Sequence, residues 1–525
     1  MVATRPLFRG LLALIACAGV ARAQDVIGEF PEVWVPPGNP LTKEKVLLGK
    51  VLFFEEQLSS DDTVACATCH MPDAGGGDPR AGARHPGLDG LLGTADDEFG
   101  SPGIALHDRE LDYANHPLFG VERQPTARNS PSAVGAVFFN TQFWDQRAQP
   151  VFHDLNGAIL LPQWASLESQ AVEPILSPVE MGHEQRTWKD VVEKLSHVRP
   201  LELASDLPLN LVRFVTGAEA YGPLFEAAFG TSEITRERIA MAIASYERVL
   251  VPDQTPFDLG TMTPRQLEGL RVFQERGLCE TCHPASTRIF SDGASRTVFL
   301  PEQPRFSKTP SLRNAGLRKR YMSSGVFTTL AEVIEHYRSI DFLQPDVTQD
   351  ELVALIDFLG NALTDPRVAQ RLPPFDRPTL RSERMPYDSN VFGDAVAGTG
   401  GFEPEIAAAS PPFLDNPRFE IGLGRVLSGA RAVLVLSSAR TPPGTVVHGI
   451  PVAVVLDGAM RWTFVTSGAG PGKGVATFHS SVPADPALIG LQLHGQWFVG
   501  DTGAPRGVAV SRAATFEFFG GVPLK

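Results

Sequence analysis

Three things are scarce in this sequence, and each scarcity narrows what the chain can do. Basic side chains are outnumbered, 46 Lys and Arg against 60 Asp and Glu, giving a formal charge of -14. Phosphate backbones are bound by basic surfaces that release counterions, so nucleic acid is excluded as the main partner. Long apolar runs are missing beyond the first two dozen residues: no stretch reaches the ~20 apolar residues a membrane-spanning helix needs. Cysteine is rare, 5 in 525 residues, so where the cysteines fall says more than how many there are. What is plentiful is ordinary core-forming material. A 43% hydrophobic content over this length is enough for two or three domains with their own cores.

The chain opens as a targeting segment. Arg5 and Arg9 form a basic start, Leu11 to Val20 an apolar stretch, and Ala21-Arg22-Ala23 a small-residue cleavage site before Gln24. Residues 1–23 are therefore expected to be a cleaved signal peptide and the mature protein to be exported, to the periplasm in a bacterium. The alternative is a lipoprotein box, Leu14-Ile15-Ala16-Cys17, in which Cys17 would be acylated. Either way the mature chain is expected to be soluble or lipid-tethered, without a transmembrane segment.

The other four cysteines form two C-x-x-C pairs, each followed at once by histidine: Cys66-Ala67-Thr68-Cys69-His70 and Cys279-Glu280-Thr281-Cys282-His283. This spacing sets two thiols within about one helical turn, where both can add to the vinyl groups of one haem. The adjacent histidine then ligates the iron. Competing readings are a disulfide, a zinc site and a thioredoxin-like redox pair. A redox pair does not call for the histidine, and a zinc site built from both pairs leaves two histidines unexplained. Two covalently bound c-type haems are the expectation.

The surroundings of the motifs repeat. Leu48-Gly49-Lys50-Val51-Leu52-Phe53 precedes the first and Glu268-Gly269-Leu270-Arg271-Val272-Phe273 the second, with Gly and Phe in the same places. Thr263-Pro264-Arg265-Gln266 reads as a capping box opening the second helix. Each half also closes on a helix. One starts at Thr235 and carries Ile239, Ile243, Tyr246 and Leu250 on one face. The other is capped by Thr348 and carries Leu352, Leu355 and Leu359. The expected fold is mainly α: a cytochrome c-like domain over residues 24–256, a second over 257–376, then a Gly-, Ala- and Pro-rich linker over 377–412 and an all-β, sandwich-like domain over 413–525. Strands are expected at Ala432 to Leu436, Val452 to Leu456, Trp462 to Val465, Leu488 to Leu493 and Thr515 to Phe519, and nothing there looks catalytic.

The haem region resembles the bacterial di-haem cytochrome c peroxidase and MauG family. The resemblance is carried by Arg128-Asn129-Ser130-Pro131-Ser132, Phe143-Trp144-Asp145-Gln146-Arg147-Ala148, Leu167-Glu168-Ser169-Gln170-Ala171, Pro178-Val179-Glu180-Met181-Gly182, Lys308-Thr309-Pro310-Ser311-Leu312-Arg313-Asn314 and Phe327-Thr328-Thr329-Leu330. It implies that the first haem is the peroxide site, with His70 as its proximal ligand and the opposite face open. Gln170 and Glu180 then fall among the distal polar groups, Glu180 as acid and base and Gln170 as the hydrogen-bonding group, with Pro174 shaping the pocket. Trp144 would relay electrons between the haems. The second haem would be ligated by His283 and by Tyr337, the residue MauG has there, whereas peroxidases fed by small cytochromes have methionine. Met322 is a competing ligand. At the position where many peroxidases carry a removable distal histidine this chain has Val121, and Ser323 replaces a family histidine. The segment between Ala148 and Leu167, with His153 and Trp164, is expected to cover or narrow the pocket.

The resemblance also implies calcium, held by Asn129 and carbonyls near Arg318 and Arg320. The acidic loop Asp89 to Asp97 lacks EF-hand spacing and reads equally as an ordinary turn. Three functions follow. The first is reduction of hydrogen peroxide with electrons from a small cytochrome or cupredoxin, for which an acidic surface suits a cationic donor. The second is MauG-like oxidation of Trp or Tyr on a partner protein. The third is a non-catalytic electron carrier.

Overall fold

The computed structural model describes residues 30–80, 82–299, 304–385 and 390–520. The expected signal peptide and Cys17 lie outside the described residues. Thr42 caps the helix Lys43–Phe53, accepting from Lys45 N at 3.2 Å. That helix packs across Arg236–Glu247, whose cap is Thr235. The crossing is close: a Cβ on Gly49 would lie 1.8 Å from the Ala242 carbonyl oxygen and 3.0 Å from Tyr246 Cβ. The second motif has the same device. The helix Pro264–Arg271, capped by Thr263 and Gln266, crosses Gln349–Asp357, and a Cβ on Gly269 would lie 2.0 Å from the Ala354 oxygen and 2.6 Å from Phe358 Cβ. The repeated Gly in the sequence is thus a repeated helix crossing, where only a missing side chain lets two backbones touch.

Each crossing sits in its own core. The first joins Leu48, Val51, Leu52, Phe53, Ile239 and Tyr246; the second joins Phe257, Phe273, Phe290, Leu355, Phe358 and Leu363. After the second core the chain returns to the first. Val368, Phe375 and Leu380 are buried in it. Asp376 pairs with Lys50 at 2.8 Å, Arg377 with Asp73 at 2.6 Å, and Arg381 N donates to Glu56 Oε2 at 2.8 Å. The stretch expected as a linker is therefore docked over its first residues and then supplies strands, Val391–Phe392 and Glu405–Ala407. Its Gly, Ala and Pro content reports turns, not freedom.

The helical region also contains antiparallel strand pairs that the sequence patterning does not signal, among them Pro102–Ala105 with Arg123–Pro125 and Ser295–Phe299 with Pro304–Lys308. They are short and flanked by Gly and Pro, so no alternation develops. The C-terminal region is β-rich. A sheet of Glu405–Ala407, Phe419–Val426 and Gly474–Ser480 faces a sheet ordered Met460–Val465, Arg431–Ser437, Gln492–Gly500, Val508–Glu517, Val391–Phe392, all antiparallel. Ile421 and Leu423 of the first meet Leu434, Trp497 and Phe516 of the second in one core. Two expected strands differ: Val452 to Leu456 makes only a bridge from Val454 to Arg440, and Leu488 to Leu493 is a 3-10 turn that joins its strand at Gln492. Among the described residues no helix is long and apolar enough to cross a membrane.

Candidate active site

The first motif occupies a single helical turn, Cys66–Cys69, closed by His70 N donating to the Cys66 carbonyl at 3.0 Å. Both thiols are free and both face a cavity of about 470 Å³, within the range of cofactor pockets. Burial pushes the Cys69 thiol up to about 11 and the Cys66 thiol higher still, so both are neutral. Burial also lowers the His70 pKa, keeping the ring neutral, and its Nδ1 donates to the Pro131 carbonyl at 2.9 Å. That bond orients the ring and leaves Nε2 free to take a ligand role. Among the described residues no group of three or more His, Cys, Asp or Glu converges as a metal site. The cavity, paired free thiols and oriented neutral histidine fit a haem.

The same cavity is lined by Gln170, Pro174, Glu180, Trp144 and Arg147. Gln170 stands on the turn Ser166–Ala171. Glu168, two residues earlier, anchors that turn through both carboxylate oxygens to Arg248 at 2.8 Å. Glu180 follows a tight turn in which Glu180 N, Met181 N and Gly182 N all reach the Ser177 oxygen, at 3.1, 3.0 and 2.7 Å. Burial raises its pKa above the ordinary glutamate value, against the pull of Ser177 and Arg147. Trp144 is buried, donates from Nε1 to the Asn129 oxygen at 2.7 Å, and accepts at its carbonyl from Lys308 N at 2.8 Å. It touches the first cavity and the strand pair of the second motif at once.

At that second motif, burial takes the Cys279 thiol to about 12, and His283 Nδ1 donates to the Phe290 carbonyl at 2.8 Å, again freeing Nε2. Burial lowers the His283 pKa as well. Tyr337, on the helix Leu330–Ser339, lies in the field of both Cys279 and Cys282, and its own burial raises its phenol pKa. The Met322 carbonyl accepts from Asn129 Nδ2 at 3.1 Å.

Asn129 Nδ2 also reaches the Arg320 carbonyl at 3.2 Å. The amide thus donates into the carbonyls that would hold calcium, and oriented this way the cluster satisfies itself. The acidic loop does likewise, Asp96 Oδ2 accepting from Leu88 N and Asp89 N at 2.7 and 3.0 Å. His153 and Trp164 are not among the cavity's lining residues; Trp164 instead packs on Trp34, ring centres 5.9 Å apart. Sequence reasoning missed Glu247, buried on the cavity wall with its pKa raised by burial to about 8 and Oε2 without a hydrogen-bond partner. Its spacing of four from Ile243 on the closing helix was the available signal.

Residues 43–263 match the family model described as di-haem cytochrome c peroxidase. The methylamine utilization protein MauG of Methylophilus methylotrophus is 28% identical over 375 residues, covering 66% of this chain and 89% of the relative. Cytochrome c551 peroxidase of Nitrosomonas europaea is 25% identical over 409 residues, covering 72% and 95%. A crystal structure of a MauG-like protein associated with microbial copper homeostasis aligns with a TM-score of 0.45 at 22% identity, over 66% of this chain and 97% of that one. Over residues 43–263 the chain is thus similar to di-haem cytochrome c peroxidases, and over a longer span to MauG and cytochrome c551 peroxidase.

Proposed function

We propose that the protein reduces hydrogen peroxide to water at the first haem motif, with electrons arriving from a small redox protein through the second. The observation that carries this reading is the cavity itself, lined by His70, Gln170 and Glu180 together. A pure electron carrier has no use for acid and amide groups beside an accessible iron.

Cys66, Cys69 and His70 would hold a haem, which would supply redox-active iron for the reaction with peroxide. The chain supplies the proton handling. Splitting the O–O bond needs a proton removed from one oxygen and delivered to the other, and the whole reduction consumes two electrons and two protons per peroxide. Glu180, with a pKa raised by burial, exchanges a proton nearer neutral pH than an ordinary glutamate. The Gln170 amide would donate a hydrogen bond to a peroxide oxygen held in the cavity. Trp144, wedged between cavity and strand pair, is the aromatic group on the direct route from the second motif.

A second reading is favoured by one residue. Tyr337 beside Cys279 and Cys282 would bind ferric iron as phenolate and hold the second haem at low potential, the arrangement suited to MauG-like oxidation of Trp or Tyr on a partner protein. The test of the shared chemistry is Glu180→Gln in the holoprotein. Peroxide turnover is expected to fall by about 10²- to 10⁴-fold, the usual contribution of a positioned acid and base, with haem content unchanged. Undiminished turnover would remove Glu180 from the reaction. Mixing the fully oxidised protein with one equivalent of peroxide separates the readings: both haem spectra changing without prior reduction selects the protein-oxidising one.

A further inference from the structure

We propose that the C-terminal β region positions the Glu180 wall of the first cavity, acting through the hairpin of Pro102–Ala105 and Arg123–Pro125, with Arg418, Gly422 and Gly424 as positioning residues. The proposal rests on the reading of that cavity as the reaction site, and the experiment below separates the two.

The hairpin lies directly on the backbone that carries Glu180. A Cβ on Gly103 would meet the Val179 oxygen at 1.9 Å and Glu180 Cα at 2.9 Å, so a side chain there would displace one or the other. Ile104 N donates to the Val179 carbonyl at 3.3 Å, Gln124 Nε2 to the Pro178 carbonyl at 2.8 Å, and Glu184 N to the His107 carbonyl at 3.0 Å. Ser101 and Thr126, at the base of the hairpin, line the cavity. Any shift of the hairpin is therefore a shift of the cavity wall.

The far end of the hairpin, residues 106–122, is gripped by the β region. The strand Phe419–Val426 approaches with its two glycines: a Cβ on Gly422 would meet Tyr113 Cδ2 at 2.6 Å, and one on Gly424 would meet Val121 Cγ2 at 2.6 Å. Tyr113 and Val121 are buried there with Ala105, Ala407 and Val475 in a core shared by the two regions. Polar contacts surround it. Tyr113 N donates to Thr477 Oγ1 at 2.9 Å, Arg418 pairs with Asp112 at 2.9 Å, and His107 Nε2 faces Glu420 Oε2 at 3.5 Å. A buried apolar seam edged by a hydrogen bond and ion pairs is a fixed joint, not a sliding contact. The hairpin is thus held at its tip by one region while its base walls the cavity of another.

The experiment uses the full-length holoprotein and Gly424→Val, which drives a branched side chain into Val121, with Gly503→Ala as a control wedge elsewhere in the β region, where Thr399 is the neighbour. Hydrogen–deuterium exchange is read at residues 102–125 and 177–184. Faster exchange in both segments for Gly424→Val, and in neither for the control, is expected. Peroxide turnover should fall with it, toward about 10²-fold, since a misplacement near 1 Å can cost that much. Arg418→Met is the milder variant should Gly424→Val not accumulate, with a smaller change of the same sign in both readouts. Unchanged exchange at 177–184 in whichever of the two variants accumulates overturns the proposal. Faster exchange in a protein whose wild type does not turn over peroxide would instead refute the peroxidase reading and leave the joint standing.

Discussion

Glu168 and Arg248 form a buried ion pair whose removal has a calculable effect on the wall that carries Gln170. Their side chains are 0% and 1% exposed, joined by two bonds of 2.8 Å, and Asn39 Nδ2 adds a third to Glu168 Oε1 at 2.9 Å. Glu168→Gln keeps the shape but turns one acceptor into a donor aimed at donors, and leaves the Arg248 charge buried without its counter-charge. Breaking such a pair costs about 3–5 kcal/mol, whereas replacing both members with neutral groups costs far less. The helical-region transition in urea, followed by Soret absorbance and far-UV circular dichroism on holoprotein, should move down by that amount for Glu168→Gln. The double variant Glu168→Gln/Arg248→Met should recover most of it. Because the pair anchors the turn bearing Gln170, peroxide turnover should fall in the single variant and return in part in the double. A loss below about 1 kcal/mol in the single variant, the size expected of an exposed pair, would refute the reasoning.

Two further outcomes are expected. Tyr337→Met should raise the reduction potential of the second haem in a spectroelectrochemical titration, because thioether sulfur stabilises ferric iron less than phenolate; an unshifted potential would point back to Met322. Burial pulls the His107 pKa down, but the facing Glu420 carboxylate, with Asp61 behind it, more than reverses this and leaves the ring above 6.5. Arg418, paired with Glu420, is the opposing cation. A raised histidine pKa means the folded state holds the proton more tightly, so the stabilisation is full below 6.5 and is lost as pH rises through the folded value. The stability difference between wild type and His107→Gln should therefore shrink on going from pH 6 to pH 9, and a difference independent of pH would rule out the charged pair.

Much of the helical region was legible because its signals are local. Thr235, Thr263 and Thr348 cap the helices that their sequences announce, and the Gly49 and Gly269 repeat marks two equivalent crossings. The thiol and histidine spacing placed both motifs without any tertiary knowledge. What was not legible depends on long-range contact. Gly422 and Gly424 break the alternation of a strand, so Phe419–Val426 is not among the expected strands, and its role shows only once Tyr113 and Val121 are seen against it. Glu247 reads as a helix-surface carboxylate until the cavity beside it is seen. Gln170 and Glu180 carry no local signal either; only the family resemblance singled them out, and the fold brings them to one cavity.

The return of the chain to its first core has a consequence for synthesis. Val368, Phe375 and Leu380 come from beyond the second motif, yet they complete the core around Leu48 and Tyr246. A nascent chain that has released only the first motif cannot close that core, because over a hundred residues still separate it from its last buried side chains. The first core is therefore completed only once the second region has been released, whereas in the usual order the leading unit finishes first. A chain cut after the first motif's closing helix would keep every residue of the cavity and still lack the clasp that shuts it.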